Sequence, residues 1–303
     1  MKFTKWLNDW LEYYVRPFAK QRTFIKYQMQ VEKYILPEIG DVDTNELSAD
    51  VIQKFSARLT QSGLASNTIN NILSTLNLSL KRAAMLGLLK NRFSDAIVRP
   101  KPREKQVESF TKREQYILER YAMWNKRDNL FGIVLSLYTG LRVGELLALK
   151  WSDIDFAKKR ITVNKCCRDE WENGKYIKII ETAKTQASER VIPFPKQLLP
   201  KLRELKKRSK CQYVIPGKSE YGAQMRSYQR TFECLLKTLN LPHRGIHALR
   251  HTFATRALEV GMDVKTLSEI MGHSDPTVTL KRYAHSMFEH KSEMMNKLGK
   301  LFT

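Results

Sequence analysis

The spacing of apolar residues changes twice along this chain, and each change restricts what it can fold into. From Phe3 to Leu89 they recur at helical intervals: Trp6, Trp10, Tyr13 and Tyr14, then Tyr27, Val31, Tyr34 and Ile35, then Val51, Ile52, Phe55 and Leu59, then Ile69, Ile72, Leu73, Leu76 and Leu80. This predicts a small all-helical bundle. Its punctuation agrees, with Pro37 and Gly40 read as a helix end, Ser48 as an N-cap, Gly63 as a break, and Ser66 or Asn67 as the next start. Between Ile154 and Pro195 the period shortens. Arg160 to Val163, Tyr176 to Ile180 and Arg190 to Pro193 read as three strands of a small antiparallel sheet, separated by Asn173-Gly174 and by Thr182 to Ser188. Helical spacing returns at Leu198 and runs to the end, interrupted at Pro216-Gly217, Pro242, Gly261 and Gly272-His273.

The expected fold is therefore mainly α: an N-terminal all-α bundle followed by an α+β domain with a small antiparallel sheet. A length of 303 residues favours two domains. Arg92 to Glu108 is charged, contains Pro100 and Pro102 and has no periodicity, so the division expected is a helical domain over 1–99, a linker over 100–109 and a second domain over 110–303. Thr111 followed by Glu114 has the pattern of a capping box opening that second domain. Two helices are expected next, the second carrying Gly140 to Lys150. The most apolar run, Leu130 to Tyr138, is far too short for a membrane span and fits a buried helix.

Charge narrows the partner. The chain has 53 Lys and Arg against 31 Asp and Glu, a formal +22, and residues 1–100 hold only 14 of the basic and 9 of the acidic side chains. Most of the excess lies beyond them. A positive field of this size suits counterion release from a polyanion, so nucleic acid is the expected partner. Cys166, Cys167, Cys211 and Cys234 have no ligand-like spacing, which gives no support to a zinc site or a disulfide framework and suits reduced thiols in the cytoplasm. Met1 to Arg16 has no uninterrupted apolar core of signal-peptide length, so secretion and a membrane role are not expected.

Several basic residues and a late tyrosine suit one chemistry. Cutting a phosphodiester with a side-chain nucleophile needs that nucleophile, cations for the charge developing on the phosphoryl oxygens, and a proton donor for the departing oxygen. Tyr283, which follows a run of basic and imidazole side chains, is the candidate nucleophile, and with an ordinary pKa of ~10 it needs a neighbour to take its proton. Arg142 and Arg250 are expected to clamp the non-bridging oxygens, because a guanidinium stays charged and offers paired donors. His247 and Arg250 stand three apart on a helix expected to open near Gly245, so both project to one side. His251 lies four beyond His247, which raises a zinc reading, but Ala248 stands where a metalloprotease helix needs Glu. His273 follows Gly272 in a turn and can donate to a phosphate. The plain alternatives are a packed Tyr283, an Arg142 that satisfies a helix end and a His273 that caps one.

The segments Thr139-Gly140-Leu141-Arg142-Val143-Gly144-Glu145-Leu146, His247-Ala248-Leu249-Arg250-His251-Thr252-Phe253-Ala254-Thr255, Met271-Gly272-His273-Ser274 and Arg282-Tyr283-Ala284-His285 together resemble the signature of the tyrosine recombinases, the phage-integrase family. The resemblance implies catalytic roles for Arg142, Lys184, His247, Arg250, His273 and Tyr283, with Glu145 as the accessory acid. Lys184, in Thr182-Ala183-Lys184-Thr185, would protonate the leaving 5′ oxygen from its hairpin, with Lys178 as a nearby alternative lysine. It further implies two domains clamping double-stranded DNA target sites, a 3′-phosphotyrosyl intermediate, a Holliday junction, a homotetramer on synapsed DNA and accessory DNA-bending or directionality proteins. Neither metal nor ATP is expected as a cofactor. A type IB topoisomerase and a non-catalytic DNA-binding factor remain as alternatives. Residues 1–15 leave little room for a separate arm-site-binding domain, so none is expected before the bundle, and the apolar residues between Ser286 and Thr303 suit a helix docking either on its own core or on a neighbour.

Overall fold

A computed structural model describes residues 1–89, 97–101, 109–172, 175–182, 189–217, 221–273, 277, 295–296 and 298–300. Lys184, Tyr283, most of the linker expected at 100–109 and nearly all of the C-terminal tail lie outside the described residues. The chain divides into two compact units, Met1–Lys105 and Gln106–Thr303.

The first unit is helical. Helix α1 (Phe3–Asp9) runs on as a π-wound segment (Trp10–Val15), α2 (Gln21–Gln30) does the same (Val31–Ile35) before α3 (Leu36–Ile39), and α4 (Ala49–Gln61) and α5 (Ser66–Met85) follow. Phe3, Trp6, Ile35, Ile52, Phe55, Leu73 and Leu76 are buried in one core. Two details depart from the sequence reading. Tyr13 is 67% exposed while Tyr14 packs on Trp6, because the i→i+5 pairing of the π segment rotates the face that a regular helix would present. Pro37 does not end a helix but sits in the first turn of α3, where a missing N–H is tolerated. Ser48 is the N-cap of α4 and accepts from the Val51 N–H at 3.3 Å.

In the second unit α6 (Lys112–Trp124) opens with the expected capping box: Thr111 Oγ1 accepts from the Glu114 N–H, and Glu114 accepts from the Thr111 N–H at 2.8 Å. Arg244 pairs with the same carboxylate at 2.9 Å. Helix α7 (Phe131–Thr139) is apolar on nearly every side and lies inside the core, as the run Leu130 to Tyr138 suggested. It stops at Thr139, and a separate helix α8 (Val143–Ala148) starts after Arg142, so Gly140 to Lys150 is not one helix. Helices α9 (Leu199–Arg208), α10 (Met225–Thr238), α11 (His247–Glu259) and α12 (Val264–Met271) follow.

The β-structure is richer than three strands. Strands β1 (Ile154–Asp155), β2 (Arg160–Val163) and β5 (Arg190–Pro193) form one antiparallel sheet in the order β1-β2-β5, and β3 (Lys165–Glu172) and β4 (Lys175–Thr182) form a separate hairpin. Ile161 and Val163 alternate into the core, with Ile192 opposite Ile161 and Arg190 opposite Val163. Strand β3 escapes a pattern search because Lys165-Cys166-Cys167-Arg168-Asp169-Glu170 is mostly polar. Cross-strand pairing with β4 and the Asp169 carboxylate, which accepts from the Met225 and Arg226 N–H groups at the start of α10, hold it in place.

Candidate active site

The site forms where three chain segments meet: the turn between α7 and α8, the first turns of α11, and the end of α12. Gly140 ends α7 in the left-handed region at φ 65°, and a side chain there would strike the ring of Phe253 at 2.4 Å. That close approach lets α11 lie on the turn. Gly272 ends α12 at φ 63°, and the His273 N–H bonds back to the Ser268 carbonyl at 3.1 Å in the manner of a helix C-cap.

Two carbonyls in succession on this second turn receive two guanidinium groups. Arg142 Nη2 donates to the Gly272 oxygen at 2.8 Å, and Arg250 Nη2 donates to the Met271 oxygen at 2.7 Å. Arg250 Nη1 also donates to the Gly140 oxygen at 2.7 Å, and its Nη2 lies 2.8 Å from His273 Nε2. Arg250 is buried, whereas the Arg142 side chain is 35% exposed. In Arg142 each terminal nitrogen carries two hydrogens and makes one of these anchoring contacts, to Gly272 through Nη2 and to Glu145 through Nη1 at 2.8 Å, which leaves donors for a ligand.

Glu145 organises the other flank. Its carboxylate accepts from the Arg142 N–H at 2.9 Å and from Arg142 Nη1 at 2.8 Å, tying the guanidinium to the first turn of α8. Arg190 approaches the same carboxylate with both terminal nitrogens, Nη1 to Oε1 at 3.0 Å and Nη2 to Oε2 at 2.8 Å. Both side chains of this pair are 7% exposed. Burial alone would raise the Glu145 carboxyl, but the hydrogen bonds and charge of Arg190, followed by the charge of Arg142, outweigh it and hold the group below the ordinary carboxylate value. Arg190 Nε also donates to the Ile270 oxygen at 2.6 Å, and a side chain at Gly272 would meet the Arg190 guanidinium at 2.8 Å.

Arg142, Glu145, Arg250 and His273 are thus brought together. His247 is exposed in the first turn of α11, one turn before Arg250. Lys184 and Tyr283 lie outside the described residues. Lys178 is committed elsewhere: its ammonium donates to the carbonyls of Leu147 and Tyr221 at 2.8 Å, lies 4.0 Å from the centre of the Tyr213 ring, and is pushed below its ordinary pKa by burial. Arg190 is the residue that the sequence pattern does not mark. It reads there as the polar start of a strand, and only the need of a buried Glu145 for a second cation points to it. No group of three or more His, Cys, Asp or Glu suited to a metal occurs among the described residues, and none of their helices is long and apolar enough to cross a membrane.

Known proteins are similar to this chain in both sequence and fold. The model described as the phage integrase family matches residues 103–290, and that described as phage integrase, N-terminal SAM-like domain, matches residues 2–60. A tyrosine recombinase XerC-like protein of Caldanaerobacter subterraneus subsp. tengcongensis is 31% identical over 323 residues, covering 98% of this chain and 82% of the relative. The Tn1549 transposon integrase in complex with circular intermediate DNA superposes with a TM-score of 0.80 at 25% identity, over 98% of this chain and 100% of that one. The lambda integrase tetramer bound to a Holliday junction gives a TM-score of 0.68 at 21% identity, over 91% of this chain and 79% of that one.

Proposed function

Because this chain belongs to the phage integrase family, and is thus a tyrosine-type site-specific DNA recombinase, we propose that Arg142 and Arg250 together grip one phosphate of a target site for attack by Tyr283. The observation that carries this reading is the pair of guanidinium groups on the consecutive carbonyls of Met271 and Gly272, with His273 beside Arg250. Distant parts of the sequence meet there, and two fixed guanidinium groups side by side suit the two non-bridging oxygens of a phosphodiester.

In the reaction the Tyr283 oxygen bonds to phosphorus as the bond to the 5′ oxygen breaks, giving a 3′-phosphotyrosyl link and a free 5′-hydroxyl. We assign the phenolic proton to His247, the proton on the leaving 5′ oxygen to Lys184, and a hydrogen bond on the phosphate to His273. The capture of Lys178 by two carbonyls and an aromatic ring supports Lys184 as the reactive lysine of this region. The same steps in reverse, with a 5′-hydroxyl from the partner duplex, rejoin the strands. The phosphotyrosyl bond conserves the energy of the phosphodiester, so ATP is not required.

We further assign residues 1–99 to a core-DNA-binding domain and 110–303 to the catalytic domain, acting as a clamp on double-stranded DNA. Four copies on synapsed sites would pass through a Holliday junction, as the lambda integrase tetramer bound to such a junction suggests. A suicide target site tests the central assignment. Wild type is expected to form a covalent adduct and Tyr283→Phe none. An adduct that survives in the variant removes Tyr283 as nucleophile, and its absence from wild type favours a DNA-binding factor without chemistry.

A further inference from the structure

Arg190 is tied to more parts of the site than a strand-end arginine requires. It is the first residue of β5, paired opposite Val163, and it bridges two of the segments that build the site, the first turn of α8 and the end of α12. Its fork closes on both oxygens of Glu145, its Nε holds the Ile270 carbonyl, and its guanidinium lies against Gly272, whose own carbonyl accepts from Arg142. We propose that Arg190 is a positioning residue for strand cleavage, fixing Glu145 and the turn at Met271 to His273 so that the Arg142 and Arg250 guanidinium groups face one phosphate.

The charge arrangement gives the reason. Glu145 is buried beneath Arg142, and a single exposed arginine would have to serve both this carboxylate and the DNA. Arg190 supplies a second, buried cation of matching bidentate geometry, so the Arg142 guanidinium can keep one contact to Glu145 and one to the Gly272 carbonyl and direct its remaining hydrogens outward. The coupling extends to the next turn. Arg190 fills the space beside Gly272, so its removal frees the turn that carries the Met271 and Gly272 carbonyls and His273. Other charged groups near Glu145 do not substitute, since Lys165 and Asp153 in the same narrow cleft are paired with each other at 2.7 Å.

This inference rests on the cleavage reaction proposed above, and its test separates the two. On a suicide site, wild type must form an adduct at all; failure there sinks the reaction and this inference with it. Given that adduct, single-turnover cleavage at saturating DNA is compared for wild type, Arg190→Gln, Arg190→Lys, Glu145→Gln and the Arg190→Gln/Glu145→Gln pair, together with target-site affinity. The first-order rate is expected to fall by roughly 10²-fold in Arg190→Gln, the scale of a small misplacement in an active site, with affinity for the site retained. Arg190→Lys should recover little of the rate, because an ammonium keeps the charge but not the fork. The double variant should be no slower than the slower single variant, and the acid limb of the Arg190→Gln pH profile should lie at higher pH than that of wild type. Wild-type rates in Arg190→Gln, or in Arg190→Lys should Arg190→Gln fail to fold, would overturn the proposal. So would losses that multiply in the pair, or a lowered melting temperature with unchanged cleavage.

Discussion

At the scale of single residues, the geometry of the site depends on the difference between a guanidinium and an ammonium. Arg250 holds Gly140 and Met271 with separate nitrogens and still lies beside His273, a geometry that one Nζ cannot reproduce. Arg250→Lys is therefore expected to lower the single-turnover cleavage rate by about 10²-fold to 10³-fold, the range for loss of a preorganised donor, in a gel assay of the covalent adduct. Glu145 sets a pH dependence. Its folded-state pKa is depressed below the ordinary 4.5, so its contribution to stability is complete above that value and is lost as pH falls through the depressed value. Glu145→Gln leaves Arg190 buried without its counter-charge and should cost about 3 kcal/mol near neutral pH. In denaturant titrations the gap between wild type and variant should stay constant down to the ordinary carboxylate range and close only below it.

At the scale of elements, the turn between α7 and α8 decides whether the arginines meet. Gly140 needs both a positive φ and the absence of a side chain against Phe253, and its carbonyl anchors Arg250. Gly140→Ala should destabilise the fold by about 1–3 kcal/mol through strain and crowding, seen as a lower melting temperature, and should slow cleavage by moving α11. Much of this was legible in the sequence. The helical periods, the Ser48 and Thr111 caps, the buried run before Thr139 and the i, i+3 relation of His247 and Arg250 depend on local spacing, which a linear pattern carries. The separation of α7 from α8, the polar strand β3 and the part played by Arg190 depend on long-range pairing. A strand such as Lys165 to Glu172 is stabilised by its partner β4 and by capping α10, and neither leaves a hydrophobic signature. Tyr13 turns outward for a related reason, since a π-wound stretch breaks the 3.6-residue period.

At the scale of the whole molecule, each of the two units has a buried core of its own, and on the proposed reading the first captures DNA while the second carries the chemistry. Met1–Lys105 has its own buried core of helices, and Gln106–Thr303 contains the arginines, Glu145 and the helix ends that orient them. The strong positive charge suits attraction without sequence preference, while on the proposed reading the rate of strand cleavage depends on a few groups converging on a single phosphate. The most direct measurement is an experimentally determined structure of the Tyr283→Phe variant on its target duplex. The account predicts Arg142 and Arg250 within hydrogen-bond distance of the non-bridging oxygens of one phosphate, with the ring of residue 283 in line with the bond to the 5′ oxygen. Arginines on different phosphates, or a residue 283 remote from the phosphate they share, would contradict it.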